Sequence, residues 1–597
     1  MAKMVSGIEP GQRQLNGTQT TGREYQRLST PEYEMTHDFD VEAPMRDGIN
    51  LLTDVYRPDA EGRFPVLIAA SPYPRQIQNS GAPMGFIEAG ASDFWVPRGY
   101  VHVIANLRGT GGSSGTFGFM DGQERQDLHD LVEWAAAQPW SDGNVGMLGI
   151  SYFASTQVQA ATQQPEHLKA IFALEATTDL YQSAVHHGLM SASFVTTFLA
   201  MIGMTSGHTN KLWRSRLVNG VSDLLRTPHI HGKFATSQGD AAMAGLRVLL
   251  KLRHDPHPWD DIWREVAVEH PVRDEWWEDH SMVPLFDNIQ VPAYLGCDWE
   301  NVPLHLPGSL AIIKALLDSN PNVRVALVGD LGISWPWETM HIEALAWFDH
   351  WLKGRDTGIL EGPRVRYQLR KGETDGWKTA DRWPIPGIQH QELALRNDGK
   401  LGADEGDPGQ RTYMVLGAGL NRARPSEADP PSSLAWETDI LTSDPDLLGE
   451  IELRLDATAS AADTAWIVTL RDVAPDDSGA DITAGYLRAS LRAVDEHSST
   501  QGNPVLPCTT PIAVPINQLV SYRIPIVGTG YRVAAGHRLR LALTSDDQDP
   551  DYPAMMTFRH ATVGTSSLNR IASSSRLVLP IAAGKPYGPA DPPRYGC

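Results

Sequence analysis

The stretch Val-Gly-Met-Leu-Gly-Ile-Ser-Tyr-Phe-Ala at 145–154 constrains the fold of this chain more than any other. Its first six residues form an apolar run that reads as a buried strand, and residues 153–162 are small and apolar enough to read as a helix. Between the two lies Gly149-Ile150-Ser151. A serine on a sharp strand-to-helix turn carries its hydroxyl clear of the backbone, and the N-terminus of the helix favours a developing negative charge there. Gly149 lets the turn close. The usual pattern for such an elbow is Gly-x-Ser-x-Gly, and Phe153 stands at the last position. Ser151 is therefore expected to be a nucleophile on the strength of the strand-turn-helix context rather than of the pattern alone.

The neighbouring segments supply the rest of a sheet. Residues 45–58 read as a hairpin with Asp47-Gly48 in the turn, and 65–70 and 100–105 as further strands. The glycine-rich loop 106–115 lacks Gly-Lys-Ser/Thr and does not open a helix in the dinucleotide-binding manner, so it is not read as a phosphate site. Residues 123–138 carry Leu128, Leu131, Val132, Trp134 and Ala135 at helical spacing. Strands alternating with helices predict a parallel sheet covered on both faces. Further strands are expected at 168–174, 290–296 and 323–329, and a helix at 337–353, stopped by Gly354.

Two changes of character divide the chain. Residues 179–287 turn helical, with segments at 189–204, 211–225 and 241–252, and read as a cap inserted into the sheet domain. From 361 onward long helices vanish, and period-two segments at 365–369, 449–455, 464–470 and 537–543 predict an all-β sandwich. The expected organisation is an arm at 1–34, loose or packed on a neighbour, a sheet domain at 35–178 and 288–360, a cap at 179–287 and a sandwich at 361–597.

Composition excludes several function classes. The chain has 597 residues and a net charge of −22, which argues against nucleic acid and anionic membranes as partners. No apolar run approaches the ~18 residues of a membrane span. No basic segment followed by an apolar one opens the chain, and the three cysteines, Cys297, Cys508 and Cys597, lie far apart. These features lead us to expect a cytoplasmic protein with no metal or organic cofactor. Whether it forms a homo-oligomer stays open.

Several motifs in order carry a resemblance. They are Met45-Arg-Asp-Gly48, Ser71-Pro-Tyr73, Arg108-Gly-Thr-Gly-Gly-Ser113, Gln138-Pro-Trp140, Gly149-Ile-Ser-Tyr152 and Trp347-Phe-Asp-His-Trp-Leu-Lys-Gly354. Over residues 40–580 the chain resembles the cocaine esterase and X-Pro dipeptidyl peptidase (CocE/NonD, peptidase S15-like) group of α/β-hydrolases. The resemblance implies an α/β-hydrolase domain with an inserted helical cap and a C-terminal jelly roll. It also implies that Ser151 is the nucleophile and that Tyr73 lends its hydroxyl to the oxyanion hole. The position of Tyr73, just past an apolar strand, is where such folds place the second donor, the first being the backbone N–H of Tyr152. Arg108 is expected to be structural. The implied activity is hydrolysis of a small carboxylic ester or amide through an acyl-enzyme. The alternatives are an Xaa-Pro dipeptidyl aminopeptidase and an impaired hydrolase fold kept for binding.

The acid and base depart from the group's pattern. In this fold the triad runs serine, acid, histidine along the chain. Asp298 and Glu300 flank Trp299 after the strand ending near 296, and Asn301 stands where the group usually has its aspartate; Asp298 is favoured over Glu300. The group's histidine follows the strand ending at Gly329, but Ile333 sits near that position, and an isoleucine cannot move a proton. His341 is the first histidine beyond and is expected to be the base, with His305 and His350 as other candidates. Otherwise the base has been lost.

Overall fold

The computed structural model describes residues 18–80, 87–206, 258–329, 339–372, 376–416, 430–547, 558–561, 563 and 566–582. Among these, ten strands form one sheet. In chain order they are β1 (Met35–Pro44), β2 (Asn50–Pro58), β3 (Phe64–Ser71), β4 (Val101–Asn106), β5 (Ser141–Ile150), β6 (Leu168–Leu174), β7 (Ala293–Asp298), β8 (Val323–Val328), β9 (Val365–Tyr367) and β10 (Lys378–Ala380). Their spatial order is β1-β2-β4-β3-β5-β6-β7-β8-β9-β10. The run from β4 to β9 is parallel; β1, β2 and β10 are antiparallel to their neighbours.

Alternation along the strands divides the core in two. Val66, Ile68, Met147, Ile171, Leu295 and Val325 face one side, where helices Gly122–Ala136 and Tyr152–Thr162 pack. Leu67, Leu148, Phe172, Tyr294 and Ala326 face the other, against Trp347 and Phe348 of helix His341–Lys353. This is the parallel sheet buried on both faces that the near-continuous apolar runs predicted. The Asp47-Gly48 hairpin joins β1 to β2, with Gly48 at φ 85°. Asp121 caps the helix Gly122–Ala136 by accepting from the Glu124 N–H at 2.8 Å.

The boundary expected at 361 is crossed by the sheet. Val365–Tyr367, read from its alternation as the first strand of the sandwich, pairs in parallel with β8 and extends the hydrolase sheet instead. Three alternating residues carry no information about which sheet they join. From Gln389 onward the described residues form a second sheet of eleven strands that curls on itself. Its 14-residue strand Asp446–Ala459 pairs with Val520–Arg532 on one side and with Arg576–Ile581 and Ser567–Ala572 on the other, which draws the two layers into a near-barrel. The described part of the cap has helices at Leu180–Ala184, Ala192–Ser206, Trp259–Arg264 and Glu275–Asp279. The helices expected at 211–225 and 241–252 lie outside the described residues, as does Ile333. No described helix is long and apolar enough to cross a membrane.

The described part of the arm, 18–34, packs on its own chain. Thr21 donates from its N–H and hydroxyl to Glu343 at 2.9 and 3.1 Å, and Ser29 donates to both oxygens of Asp349 at 2.6 and 2.5 Å. Asp349 also accepts from the Tyr100 hydroxyl at 2.7 Å. The Trp-Phe-Asp-His-Trp motif thus has a packing role: Asp349 anchors the arm, Trp347 donates to the Ile171 carbonyl at 3.0 Å, and His350 meets the Arg355 carbonyl at 3.1 Å. Ser29→Ala removes one of two donors the arm gives a fully buried carboxylate. It is expected to cost about 1–3 kcal/mol, read from urea denaturation.

Candidate active site

Ser151 follows β5 directly, at φ 61°, ψ −121°, a conformation that L-residues rarely adopt and that costs about 1–3 kcal/mol. Its N–H donates to the Leu174 carbonyl at 3.0 Å, so β6 holds the turn in place. Gly149, at φ 132°, has the Cβ of Phe153 pressed against the space where its own Cβ would stand. Phe153 in the elbow's last position is therefore accommodated by Gly149, and its fully buried ring packs 6.0 Å from the ring of Tyr73.

Tyr73 is presented by a loop fastened at several points. Its N–H donates to Ser71 Oγ at 3.0 Å and its carbonyl accepts from Asn106 Nδ2 at 2.6 Å. Two residues on, buried Arg75 donates to Asp54 at 2.9 Å, to Asn106 Oδ1 at 3.0 Å and to the Gly111 carbonyl at 2.7 Å. The glycine-rich loop after β4 thus braces the loop of Tyr73. Arg108 is structural as expected, bridging Asp127 at 2.6 Å and Asp47 at 2.8 Å. The Tyr73 hydroxyl lies within hydrogen-bonding reach of Ser151, and burial pushes its pKa well up, so it remains a donor at any working pH. The Tyr152 hydroxyl is engaged elsewhere, donating to the Glu124 carboxylate at 3.0 Å, while its backbone N–H opens the helix Tyr152–Thr162.

Ser151, Tyr73 and Tyr152 line a cavity of about 320 Å³. One wall is apolar: Phe119, Met120, Phe194, Phe198 and Met201, with Phe198 stacked 5.4 Å from Phe119 and 6.4 Å from Tyr152. The cavity is also lined by acidic and polar residues, Glu88, Glu175, Thr177, Asn301 and His305.

The acidic wall differs in part from expectation. Asp298 ends β7, is buried, and accepts from the N–H groups of Glu300 and Asn301 at 3.0 Å each. Among the described residues its side chain meets Glu175; burial, then the charge of Asp298, raises the Glu175 carboxyl well above its usual range. Asn301 Nδ2 donates to Glu175 at 2.8 Å. Glu300 turns outward, its side chain 54% exposed and 3.3 Å from Arg370. Of the two carboxylates weighed after β7, Asp298 is the one at the site's edge.

The structure does not bring His341 to this cavity. Its ring is fully buried under the opposite face of the sheet, 4.8 Å from Phe94 and stacked at 6.0 Å on Trp95. The first turn of helix His341–Lys353 aims this side chain into the second core, where an aromatic ring packs well. His350 lies at the other end of that helix. His305 does line the cavity. It meets Thr177 Oγ1 through Nδ1 at 3.0 Å, and burial pushes its pKa down to about 3, so the ring is neutral.

Sequence reasoning missed Glu88, Glu175 and Thr177. Glu175 had a usable signal: it directly follows β6, at the carboxyl edge of the sheet where Ser151 and Asp298 also lie. Glu88 had none, since it sits in an irregular loop between strands.

This geometry is that of an α/β-hydrolase with a strained serine over a covered pocket. Two family profiles match the chain: X-Pro dipeptidyl-peptidase (S15 family) over residues 47–324 and X-Pro dipeptidyl-peptidase C-terminal non-catalytic domain over 358–554. The cocaine esterase of Rhodococcus sp. (strain MB1 Bresler) is 26% identical, with 91% of this chain and 98% of that protein covered. A crystal structure of a CocE/NonD family hydrolase from Staphylococcus aureus superposes with a TM-score of 0.70 at 21% identity, covering 92% of this chain and 94% of that one. An aminopeptidase from a marine sediment Thaumarchaeota archaeon gives 0.66 at 18% identity, covering 92% and 96%. The chain belongs to the cocaine esterase and X-Pro dipeptidyl-peptidase (S15) family of α/β-hydrolases, and it is a serine hydrolase.

Proposed function

We propose that the chain hydrolyses a small carboxylic ester, with Ser151 as nucleophile and the Tyr73 hydroxyl and Tyr152 N–H as oxyanion donors. The observation that carries this reading is the strained Ser151 backbone, which holds the hydroxyl in the cavity within reach of Tyr73. Ser151 Oγ attacks the acyl carbon, the carbonyl electrons move onto oxygen, and the two donors hold that charge. Collapse expels the alcohol and leaves the acyl-enzyme; water repeats the attack and releases the acid. The apolar wall of Phe119, Phe194, Phe198 and Met201 supports an acyl or alcohol group with a hydrophobic body. Asp298 supports the site indirectly, by holding the loop that carries Asn301 and by acting on Glu175.

The family profiles motivate a second substrate class, an Xaa-Pro peptide releasing a dipeptide. A panel of p-nitrophenyl esters, aminoacyl esters and Xaa-Pro anilides separates the two: ester turnover at least tenfold above anilide turnover is expected, and the reverse order would replace the ester reading. Tyr73→Phe deletes one hydroxyl while keeping the ring contacts. It is expected to lower kcat by about 10²- to 10³-fold, and turnover within threefold of the unsubstituted enzyme would remove Tyr73 from the oxyanion hole.

A further inference from the structure

A serine nucleophile needs a group to take its proton, and among the described residues the expected imidazole, His341, does not stand beside Ser151. His341 lies in the second core, and the cavity's histidine, His305, turns one ring nitrogen to Thr177. The group that does reach Ser151 is a carboxyl. Glu88 lines the same cavity, is 8% exposed, and lies within hydrogen-bonding reach of Ser151. We propose that Glu88 is the general base for Ser151, a carboxylate doing the work that an imidazole does in other serine hydrolases; this rests on the reading of Ser151 as nucleophile.

Three features of the geometry support the assignment. The first is rigidity. The Glu88 carbonyl accepts from the Ile150 N–H at 3.3 Å, and the Glu88 N–H donates to Gln78 Oε1 at 3.0 Å. The main chain of the base is thus tied to the residue immediately before the nucleophile. The second is an open acceptor: among the described residues, buried Glu88 Oε2 has no hydrogen-bond partner, an arrangement that is costly for a structural carboxyl and useful for one that must accept a proton. The third is basicity. An ordinary carboxylate is too weak a base for a serine hydroxyl, but burial raises the Glu88 pKa well above its usual range, which narrows the gap. The groups facing it are Tyr73 from the loop after β3, Ser151, Glu175 from the end of β6 with Asp298 behind it, and His305. None of these supplies a neighbouring cation, so the carboxyl stays basic.

The step balances without a further reagent. The Glu88 carboxylate takes the Ser151 proton as the Oγ–C bond forms. The carboxylic acid then returns that proton to the departing alkoxide as the C–O bond breaks. The same exchange with water regenerates Ser151 and the carboxylate. Because the base is active only when ionised, acylation should rise with pH through the raised Glu88 pKa and level off above it.

The test uses the full chain and p-nitrophenyl acetate, following the pre-steady-state acylation rate against pH. Glu88→Gln keeps the shape and removes the base; a fall of about 10²- to 10⁴-fold and loss of the rising limb are expected. In Glu88→Ala, added formate should restore part of the rate in proportion to its concentration. A rate within threefold of the unsubstituted enzyme in Glu88→Gln, with the limb intact, would overturn the proposal. So would loss of the limb in His305→Asn, which can be read even if both Glu88 variants fail to fold. Ser151→Ala distinguishes the two levels. If it stays active, the nucleophile is wrong; if it is inactive while Glu88→Gln is active, only the base is wrong.

Discussion

Replacing Ser151 with alanine is expected to lower ester turnover by about 10⁴-fold or more and to abolish labelling by a fluorophosphonate probe. Removal of a serine nucleophile leaves only the catalysis supplied by the oxyanion donors and by substrate binding, which is small beside the whole. The backbone adds a stability signature. Ser151 sits at φ 61°, ψ −121°, and alanine meets the same steric penalty there, so Ser151→Ala should unfold at nearly the same urea concentration. Glycine does not meet that penalty, and Ser151→Gly should be inactive and more stable, by about 1 kcal/mol. A Ser151→Ala enzyme keeping a tenth of its activity would show that another group attacks the substrate. A Ser151→Gly enzyme no more stable than the parent would show that the turn is not strained.

The second large effect is expected far from the serine. A buried chain of polar groups runs from the sandwich to the site. Asp547 Oδ2 meets His560 Nδ1 at 2.7 Å, His560 Nε2 meets His186 Nδ1 at 2.6 Å, and His186 Nε2 meets the Pro303 carbonyl at 2.6 Å. A carbonyl only accepts, so His186 carries its proton on Nε2. Burial holds the pKa of that ring well below its usual value, so the ring is neutral and its Nδ1 accepts from His560. The remaining proton lies between His560 and Asp547, in a pair almost wholly sealed from water. Taking one partner from such a pair strands the other. Asp547→Ala and His560→Ala are each expected to cost about 3–5 kcal/mol in urea denaturation. The double variant should cost much less than their sum, because both changes break one unit. An additive double variant would show that the two side chains act separately.

The elements most legible in the sequence were those whose signal is local. The strand, turn and helix around Ser151, the Asp47-Gly48 hairpin and the stop at Gly354 each rest on a few adjacent residues with strong backbone preferences. The place of Tyr73 in the same cavity as Ser151 was legible because it lies just past an apolar strand, at the carboxyl edge of the sheet. The base was not. The spacing around His341 is right for a helix, but whether the first turn faces the cavity or the second core depends on where Trp95 and Phe94 lie, and those arrive from a short helix, Ser92–Trp95, more than two hundred residues earlier. The acidic wall failed for a related reason. Glu88 and Glu175 come from separate loops and Asp298 from the last position of β7, and a lone carboxylate at such a place looks the same whether it faces water or a nucleophile. The pairing of Val365–Tyr367 with β8 was hidden because three residues suit either sheet.

Trp299 follows Asp298 directly, and its indole N–H donates to the Gln368 carbonyl at 2.7 Å while its ring packs 5.8 Å from that of Trp383. Gly530, on a sandwich strand, has the same indole where its Cβ would be, and the Arg370 N–H donates to the Gly530 carbonyl at 2.9 Å. The loop behind the catalytic pocket is therefore a shared seam rather than the edge of one module. A lineage carrying this arrangement cannot trade its C-terminal half for a foreign one, or shed it, without also rebuilding the wall of its own pocket.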